Sequence, residues 1–471
     1  MIEGLKPYAE YKDSGLPWIT KTPGHWSVNR LRHACEMLVS NVDKHTKPNE
    51  LPVFLCNYVD VYKNERVHPR LRFMRATASK DEVARFRLRH GDVVITKDSE
   101  DWKDIGVPAL VEHEAPDFVC GYHLAILRPR PAFVSGAFLL RTLQCHLVAA
   151  QFHVEAHGVT RYGLGHGAIK DVSVPIPPPD EQTAIVRFLD HANRKIDSFI
   201  RAKRKLIGLL NEQKQAIIHR AVTRGLHPDV PLKPSGIPWL GDIPNHWGIL
   251  RNMALFSHRV EPGVTGLTVL QVSLRSGITA EELDQFGRPK RLIADATKYK
   301  RIHRGDVAYN TMRMWQGAVG VSPSDGLVSP AYVVLKPRKD TCPEFYDFIF
   351  HTEVYKQQVN RQSTGIVSDR NRLYWDSFKQ MPNLTLPPAE QKEIVAFIAK
   401  ETAVLNTAIA RTEREIALMQ EYRTRLTADL VTGKLDVRAA AAHLPAPPAE
   451  SEPTPASSDP ELDEAQPEDE A

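Results

Sequence analysis

The chain has 471 residues, enough for two to four domains, and 42% of them are hydrophobic, an ordinary fraction for a soluble protein. No stretch approaches the ~18 uncharged apolar residues of a membrane span, and the first residues lack the basic start and apolar run of a signal peptide. The net charge of +4 is uneven: residues 439–471 hold nine acids and no Lys or Arg, which leaves 61 bases, 48 acids and a charge of +13 in residues 1–438. So basic a body favours a polyanionic partner, although a merely soluble basic protein is the alternative.

The cysteines and the C-terminal composition add two expectations. Five cysteines, none of them in Cys-x-x-Cys spacing, favour a reducing cytoplasm and argue against a zinc knuckle. Residues 437–471 are rich in Pro, Ala, Glu and Ser, which predicts an acidic, disordered tail. Whether this tail shields the basic surface within the molecule is left open by the sequence.

Residues 1–180 are predicted to form a first mixed α/β domain. Its opening segment contains Ser14-Gly15-Leu16-Pro17-Trp18 and Pro23-Gly24-His25-Trp26. This composition predicts packed irregular structure in which Trp18 and Trp26 anchor the core, and stacking of these rings on bases is the less favoured alternative. Leu51–Cys56 and the segment after Gly91-Asp92 predict strands. The polar stretch Gly158–Gly163 suits phosphate contact, but it is equally compatible with a solvated loop.

A long helix is predicted over residues 181–226. The segment Pro178-Pro179-Asp180-Glu181-Gln182 predicts its start. Proline is favourable at the first helical position, Asp180 can cap the free N–H groups, and Glu181 complements the positive N-terminal dipole. Apolar residues then recur at steps of three, four and seven, which return to one helix face. Few single globular domains need a helix of this length.

The whole arrangement occurs twice. Ser235-Gly236-Ile237-Pro238-Trp239 and Pro244-Asn245-His246-Trp247 open a second predicted domain, residues 227–388. Pro387-Pro388-Ala389-Glu390-Gln391 then opens a second long helix, residues 389–436. Two unrelated amphipathic helices would share an apolar stripe, but they would not share both flanking motifs, so the pattern predicts a duplication.

The two apolar stripes predict that the long helices pack against each other as an antiparallel, coiled-coil-like pair. The residues expected at the centre of this contact are Ile196, Ile200, Ile207, Leu210, Leu405, Ile409, Ile416 and Met419. The predicted fold class is therefore α+β, with two tandem mixed α/β domains, each followed by a long helix, in a pseudo-twofold arrangement.

Patterns that could indicate catalysis fail on spacing. His153 and His157 are four residues apart, but a zincin helix needs His-Glu-x-x-His and the second half has no counterpart. Asp180 and Glu212 lie roughly 48 Å apart on one predicted helix, so they cannot converge on Mg²⁺. Gly163–Gly167 lacks the Lys-Ser/Thr of a P-loop, and an adenine methyltransferase's Asn-Pro-Pro-Tyr/Phe is missing. The sequence therefore favours binding and scaffolding.

The repeated Ser-Gly-x-Pro-Trp, Pro-x-His-Trp and Pro-Pro-x-Glu-Gln motifs resemble those of the DNA specificity subunits of type I restriction–modification systems. The resemblance covers residues from about 11 to 436. It implies that each domain is a target recognition domain reading one part of a split, asymmetric DNA sequence, and that the helices fix the unread spacer.

The resemblance also implies partners and the absence of chemistry in this chain. Two modification subunits, which carry adenine methylation and bind S-adenosylmethionine, are expected to dock on it, and restriction subunits that use ATP and Mg are expected to join. The chain itself is expected to hold no cofactor or metal and to have no catalytic residues. Two alternatives stay open: a scaffold that does not bind DNA, and a specificity chain for a fused nuclease–methylase.

Charge and loop context single out candidate contacts to double-stranded DNA, some for phosphates and some for bases. These candidates are Lys97, Lys103, Arg161 and Tyr162 in the first half, and Arg313, Arg370 and Arg372 in the second.

Overall fold

The computed structural model describes residues 5–274, 277–280, 295–365 and 371–446, and the chain divides into two compact units. The first unit comprises residues 1–202 and 415–471, and the second comprises residues 203–414. Each unit therefore contains an α/β domain and one portion of each long helix.

The first unit mixes short helices with strands. Its strands are β1 (Tyr11–Leu16), β2 (Ile19–Pro23), β3 (Ser27–Arg30), β4 (Cys35–Val39), β5 (Leu51–Cys56), β6 (Arg66–Val67), β7 (Met74–Ala78), β8 (Val93–Thr96), β9 (Asp98–Ser99), β10 (Pro108–Val111), β11 (Phe118–Cys120), β12 (Leu124–Pro129), β13 (Tyr162–Gly163) and β14 (Ser173–Ile176). Its helices are α1 (Leu31–Ala34), α2 (Tyr58–Tyr62), α3 (Lys80–Phe86), α4 (Gly136–Leu143), α5 (His146–Val154) and α6 (His166–Asp171), and they precede the long helix α7 (Pro179–Arg224).

The second unit has the same character. Its strands are β15 (Leu232–Pro234), β16 (Asp242–Pro244), β17 (Gly248–Arg251), β18 (Phe256–Arg259), β19 (Leu270–Ser273), β20 (Gly277–Ala280), β21 (Lys300–Ile302), β22 (Val307–Asn310), β23 (Val319–Val321), β24 (Gly326–Val328), β25 (Tyr332–Pro337) and β26 (Pro382–Thr385). Its helices are α8 (Asn252–Leu255), α9 (Pro343–Phe350), α10 (Glu353–Gln362) and α11 (Trp375–Phe378), followed by the long helix α12 (Pro388–Val431) and, back in the first unit, α13 (Arg438–Ala442).

The largest sheets of the two units share the order of four strands, and the first unit adds a fifth strand at the edge. In the first unit β4, β12, β8, β10 and β6 lie side by side, and in the second unit β18, β25, β22 and β23 do. β10 pairs parallel with β6 and antiparallel with β8, so the sheet is mixed. A separate antiparallel pair, β3 with β14 or β17 with β26, immediately precedes each long helix. The duplicated sequence thus folds into a duplicated topology.

The long helices contain 46 and 44 residues, and both begin at the second proline of their Pro-Pro motif. Gly225, just after α7, has a φ of +74°, a left-handed conformation that ends a helix readily. In the first unit the start of α7 and the end of α12 share one core, to which Ile185, Phe188, Leu189, Leu426, Leu430 and Val431 belong. In the second unit the end of α7 and the start of α12 do so through Ile218, Ala221, Val222, Ile394 and Ile398. The helices therefore run antiparallel, and the predicted fold class is confirmed.

Two details differ from the expectations. Trp26 and Trp247 are fully buried, but Trp18 is 41% exposed because it lies in the tight turn between β1 and β2, where no core covers it. The prediction that Trp18 anchors the core is therefore wrong. Residues 437–446, assigned above to the tail, carry α13 and bury Val437 and Ala441. Residues 447–471 lie outside the described residues.

None of the helices among the described residues combines the length and the apolar run that a membrane crossing requires.

Candidate nucleic-acid interface

In each unit, three segments meet at one end of the largest sheet, and we call them the loop cluster. In the first unit they are Lys97–Ser99, Tyr122–His123 and His157–Gly163; in the second they are Thr311–Arg313, Pro330–Ala331 and, as far as it is described, the hairpin between Thr364 and Arg372. In both units the residue after the hairpin donates a backbone hydrogen bond to the first residue of the first segment. Leu164 donates its N–H to the carbonyl of Lys97 over 3.0 Å, and Leu373 donates to that of Thr311 over 2.9 Å.

Asp98 is the centre of the first loop cluster. Its Oδ2 accepts from Lys97 Nζ at 2.6 Å and lies 3.1 Å from His123 Nδ1. Burial lowers the pKa of His123. A neutral His123 can donate from Nδ1 to Asp98 and accept at Nε2 from Arg161, whose Nη2 lies 3.4 Å away. These contacts run from Lys97 through Asp98 and His123 to Arg161. They therefore position the exposed guanidinium of Arg161 at the surface.

The other two predicted contacts of the first unit are Tyr162 and Lys103. Tyr162 belongs to β13 and pairs with Ser99 of β9. Lys103 lies just beyond Ser99, and its Nζ stands 5.5 Å above the ring of Trp102, which is 42% exposed. The structure thus brings Lys97, Arg161 and Tyr162 together, and it places Lys103 four residues past Ser99 in the chain. Lys97 differs from the others, because its side chain is only 17% exposed and its ammonium is held by Asp98.

In the second unit the loop cluster borders a cavity of about 390 Å³, lined among others by His258, Lys300, Met312, Arg372 and Trp375. The rings of His258 and Trp375 stack with centroids 5.4 Å apart. Burial and the charge of Lys300 lower the pKa of His258, which keeps its ring neutral near pH 7. Its Nε2 is buried and has no hydrogen-bond partner among the residues that the structure describes.

The predicted arginines of this half have different placements. Arg372 lines the cavity, and Arg313 is exposed next to Met312, at the start of a 3-10 helix. Arg370 lies outside the described residues. Exposed guanidinium groups suit phosphate oxygens and guanine edges. The cavity therefore offers the guanidinium of Arg372 for either kind of contact, whereas the buried Nε2 of His258 is not accessible to a base.

Several residues of these clusters escaped the sequence analysis. His123 and His258 are brought in by strand pairing over long distances in sequence, so no local pattern marks them. Tyr58, whose hydroxyl lies 3.1 Å from Ser99 Oγ, is likewise distant in the chain. Trp375 had a usable signal, since it follows Arg372 by three residues and aromatic residues interleaved with basic ones are typical of nucleic-acid surfaces.

A second arrangement common to both units joins the opening segment to the long helix. Glu181, at the start of α7, has a side chain only 3% exposed, and its carboxylate accepts from Trp26 Nε1 at 2.9 Å and from Tyr8 Oη at 2.9 Å. His25 Nε2 lies 2.6 Å from the same group. In the second unit Glu390 accepts from Trp247 Nε1 at 3.0 Å and lies 2.9 Å from His246 Nε2.

The glutamine that follows each of these glutamates ties the helix to the loop before α4 or α9. Gln182 accepts from the N–H of Ser135 at 2.9 Å and donates to the carbonyl of Phe133 at 2.8 Å. Gln391 accepts from the N–H of Cys342 at 2.7 Å and donates to the carbonyl of Asp340 at 3.1 Å. The Pro-Pro-x-Glu-Gln motif therefore fastens each domain to its helix.

The predicted helix-packing residues differ in depth. Ile196, Ile200 and Leu405 are buried, whereas Ile207, Leu210, Ile409, Ile416 and Met419 are half-buried. Polar contacts between the helices supplement them: Arg423 pairs with Asp197, and Lys214 Nζ donates to Asn406 Oδ1 at 2.8 Å.

The two histidines considered as metal ligands do not share a helix. α5 ends at Val154, so it contains His153 but not His157, which lies in the hairpin. The ring of His153 packs edge-on against Trp102, with the two ring centroids 5.5 Å apart. Across the described ranges, no group of three or more His, Cys, Asp or Glu side chains has a geometry that could hold a metal ion.

The chain is similar in sequence and in structure to proteins of known family. No protein-family profile matches the chain. It is 21% identical over 427 residues to a protein of Methanocaldococcus jannaschii assigned as the specificity subunit of the type I restriction enzyme MjaX, covering 89% of this chain and 96% of that one. The resemblance predicted from the repeated motifs is thereby confirmed.

One solved structure shows the same fold. A chain from a study of complex assembly and conformational transition of the type I R-M system superposes with a TM-score of 0.61 at 14% identity, covering 87% of this chain and 98% of that one. The HsdS subunit from Thermoanaerobacter tengcongensis gives a TM-score of 0.43 at 16% identity, covering 88% and 98%.

Proposed function

We propose that this chain is the DNA sequence-specificity subunit of a type I restriction–modification complex and that it reads a bipartite, asymmetric target. The observation that carries the proposal is the loop cluster, which is built twice on one framework with different side chains. Arg161 is held by His123 in the first unit, whereas His258 stacks on Trp375 beside Arg372 in the second. Two unlike readers on equal frameworks suit two unlike half-sites.

In this proposal residues 1–180 and 227–388 are the target recognition domains, and residues 181–226 and 389–436 are the spacer. Residues 447–471 follow as an acidic tail. The 46 residues of α7 span about 69 Å at roughly 1.5 Å per residue, close to two turns of B-DNA. Paired helices of this length suit a ruler that sets the number of unread base pairs.

The chain is further proposed to assemble two modification subunits and the restriction subunits in the cytoplasm. Large apolar side chains stay exposed on the long helices: Leu209 is 52% exposed, Leu418 is 59% and Val404 is 74%. Such residues on an otherwise polar helix surface favour cover by a partner. S-adenosylmethionine, ATP and Mg would be bound by the partners, so that this chain contributes recognition and no catalytic step.

Methylome sequencing tests the proposal. Methylated adenines should occur in a two-part motif with a fixed spacer, should disappear when the gene is deleted, and should return on complementation. Replacement of residues 227–388 by the same region of a relative should change one part of the motif and keep the other. An unchanged methylome after deletion would refute the proposal and would favour a scaffold that does not read DNA.

A further inference from the structure

The last described residues of the chain run along the long helix α7. Arg438 Nη1 lies 3.4 Å from Glu181 Oε1, in the first turn of that helix. The guanidinium of Arg187 donates to the carbonyl of Leu444, and it lies 3.4 Å from that of Pro445. The chain therefore advances from the start of α7 towards its middle.

The described chain ends in a cationic groove on α7. Pro445 and Ala446 line it together with His191, Arg194, Lys195 and Ser198. These positions, with Arg187, recur at steps of three and four and so share one face of the helix. The residues that follow Ala446 consequently leave the described structure beside two exposed cations, Arg194 and Lys195.

The cations of this groove are not neutralised by their own helix. Asp190 accepts from Arg141 Nε at 3.1 Å, and Asp197 is paired with Arg423, so both nearby carboxylates have partners elsewhere. Arg194 and Lys195 have no ion-pair partner within the part of the chain that the structure describes. Besides burial, the charges of Lys195 and Arg194 lower the pKa of His191, which indicates a positive potential at the groove.

The segment delivered to this groove has the complementary charge. Residues 447–471 contain nine acids and no Lys, Arg or His, and the first acid, Glu450, is only four residues past Ala446. An extended chain of four residues reaches about 13 Å, so Glu450 and Glu452 can approach Lys195 directly. Tethering keeps the local concentration of these carboxylates in the millimolar range, and opposite charges attract within a Debye length of about 8 Å.

We propose that the acidic segment 447–471 docks on the face of α7 formed by Arg187, His191, Arg194 and Lys195, and that it competes there with external polyanions. The docking involves only residues of this chain and does not depend on the proposed function. The competition with DNA rests on the proposed function. A tethered acidic segment weakens non-specific binding most, because that binding depends almost entirely on phosphate contacts.

Zero-length carbodiimide cross-linking of the intact chain tests the docking. Mass spectrometry should find amide links from Lys195 to Glu450 or Glu452, in several-fold higher yield than links from the exposed Lys392 to the same acids. Arg194→Gln should lower the Lys195 yield at least twofold, and Arg220→Gln, on the same helix 25 residues past Lys195, should leave it unchanged. Equal yields at Lys195 and Lys392 would overturn the docking.

A full-length variant with the nine tail acids changed to Asn or Gln tests the competition. Its affinity for a non-specific duplex, measured by fluorescence anisotropy, should be about three- to tenfold higher than that of the original chain at 50 mM salt, and the difference should shrink at 200 mM. Equal affinities together with the Lys195 cross-link would overturn the competition and keep the docking. If neither protein bound DNA, the proposed function would fail, and the cross-link would still decide the docking.

Discussion

Glu181 accepts a hydrogen bond from the indole nitrogen of Trp26 over 2.9 Å, although the two residues are 155 positions apart in the chain. Glu390 and Trp247 repeat this contact at 3.0 Å, 143 positions apart. The two most specific repeated motifs of the sequence are therefore the two sides of one contact. Pro-x-His-Trp supplies the donors, and Pro-Pro-x-Glu-Gln supplies the acceptor and the helix that carries it.

Loss of this carboxylate should destabilise the first unit more than the second. Glu181→Ala leaves the buried donors of Trp26 and Tyr8 without a partner, which typically costs about 2–4 kcal/mol in the free energy of unfolding and lowers Tm by roughly 5–10 °C. The side chain of Glu390 is 19% exposed and has no tyrosine partner among the residues that the structure describes, so Glu390→Ala should cost about half as much. Calorimetry of both variants measures the order, and a larger loss for Glu390→Ala would contradict this reading.

The sequence predicted where the long helices begin but not what Glu181 does. Its proline pair and acidic first turn are local signals, and the helix indeed begins at Pro179. The sequence alone predicts only that Glu181 complements the helix dipole, because nothing local connects it with Trp26. The stripe also drifts. Ile217, seven residues past Leu210, is only half-buried, whereas the adjacent Ile218 is buried at 5% exposure, since a straight helix drifts by about 20° against a seven-residue repeat.

Ile200→Asp should weaken the contact between the long helices. Ile200 is 7% exposed, and an aspartate there is a buried charge without a partner, which costs about 3 kcal/mol or more. Combination with Ile409→Asp, in the other unit, should lower Tm further because the two sites add independently. Leu418→Asp is the matched control: its side chain is 59% exposed, and its effect should stay within ~0.5 kcal/mol. Equal melting temperatures for Ile200→Asp and Leu418→Asp would argue against the packed pair.

Asp347→Asn should stabilise the second unit at neutral pH. Burial raises the pKa of Asp347, with His351 Nδ1 at 3.5 Å opposing the shift, and its Oδ1 has no hydrogen-bond partner among the described residues. At a pH between the unfolded and the folded pKa, the carboxyl group of Asp347 therefore keeps a proton in the folded chain that it has already lost in the unfolded chain. The stability that this residue contributes is present below the ordinary carboxyl pKa of about 4 and is lost as the pH rises through the higher folded value.

The amide cannot ionise, so the variant should melt a few degrees higher than the original chain at pH 7.5 and at the same temperature near pH 4. Asp376→Asn is the control, because that carboxylate is 83% exposed and its pKa is lowered by Lys379. A stability gain for Asp347→Asn that did not change with pH would point to a cause other than ionisation.

The loop clusters show why a site is harder to predict than a fold. Arg161 and Tyr162 could be chosen from composition, because a basic and an aromatic residue on a Gly-flanked loop form a local signal. Their role depends on His123 and Asp98, which arrive from separate strands, and on the pairing that holds Lys97 away from solvent. The cavity beside His258 likewise exists only once β18, β21 and α11 are assembled.

Arg161→Ala and Arg372→Ala should each affect one half of the proposed DNA target. Arg161 is exposed and oriented by His123, and Arg372 lines the cavity beside His258, so neither change should disturb a core. A contact to a phosphate, when removed, lowers affinity for every sequence and reduces the slope of log K against log salt by about one. A contact to a base, when removed, costs about 1–3 kcal/mol for the cognate site and relaxes one position of the motif.

Two measurements separate these results: fluorescence anisotropy across a salt series and methylome sequencing of each variant. Because the residues lie in different units, the double variant should relax both parts of the motif independently; loss of the same position in both single variants would contradict two separate readers.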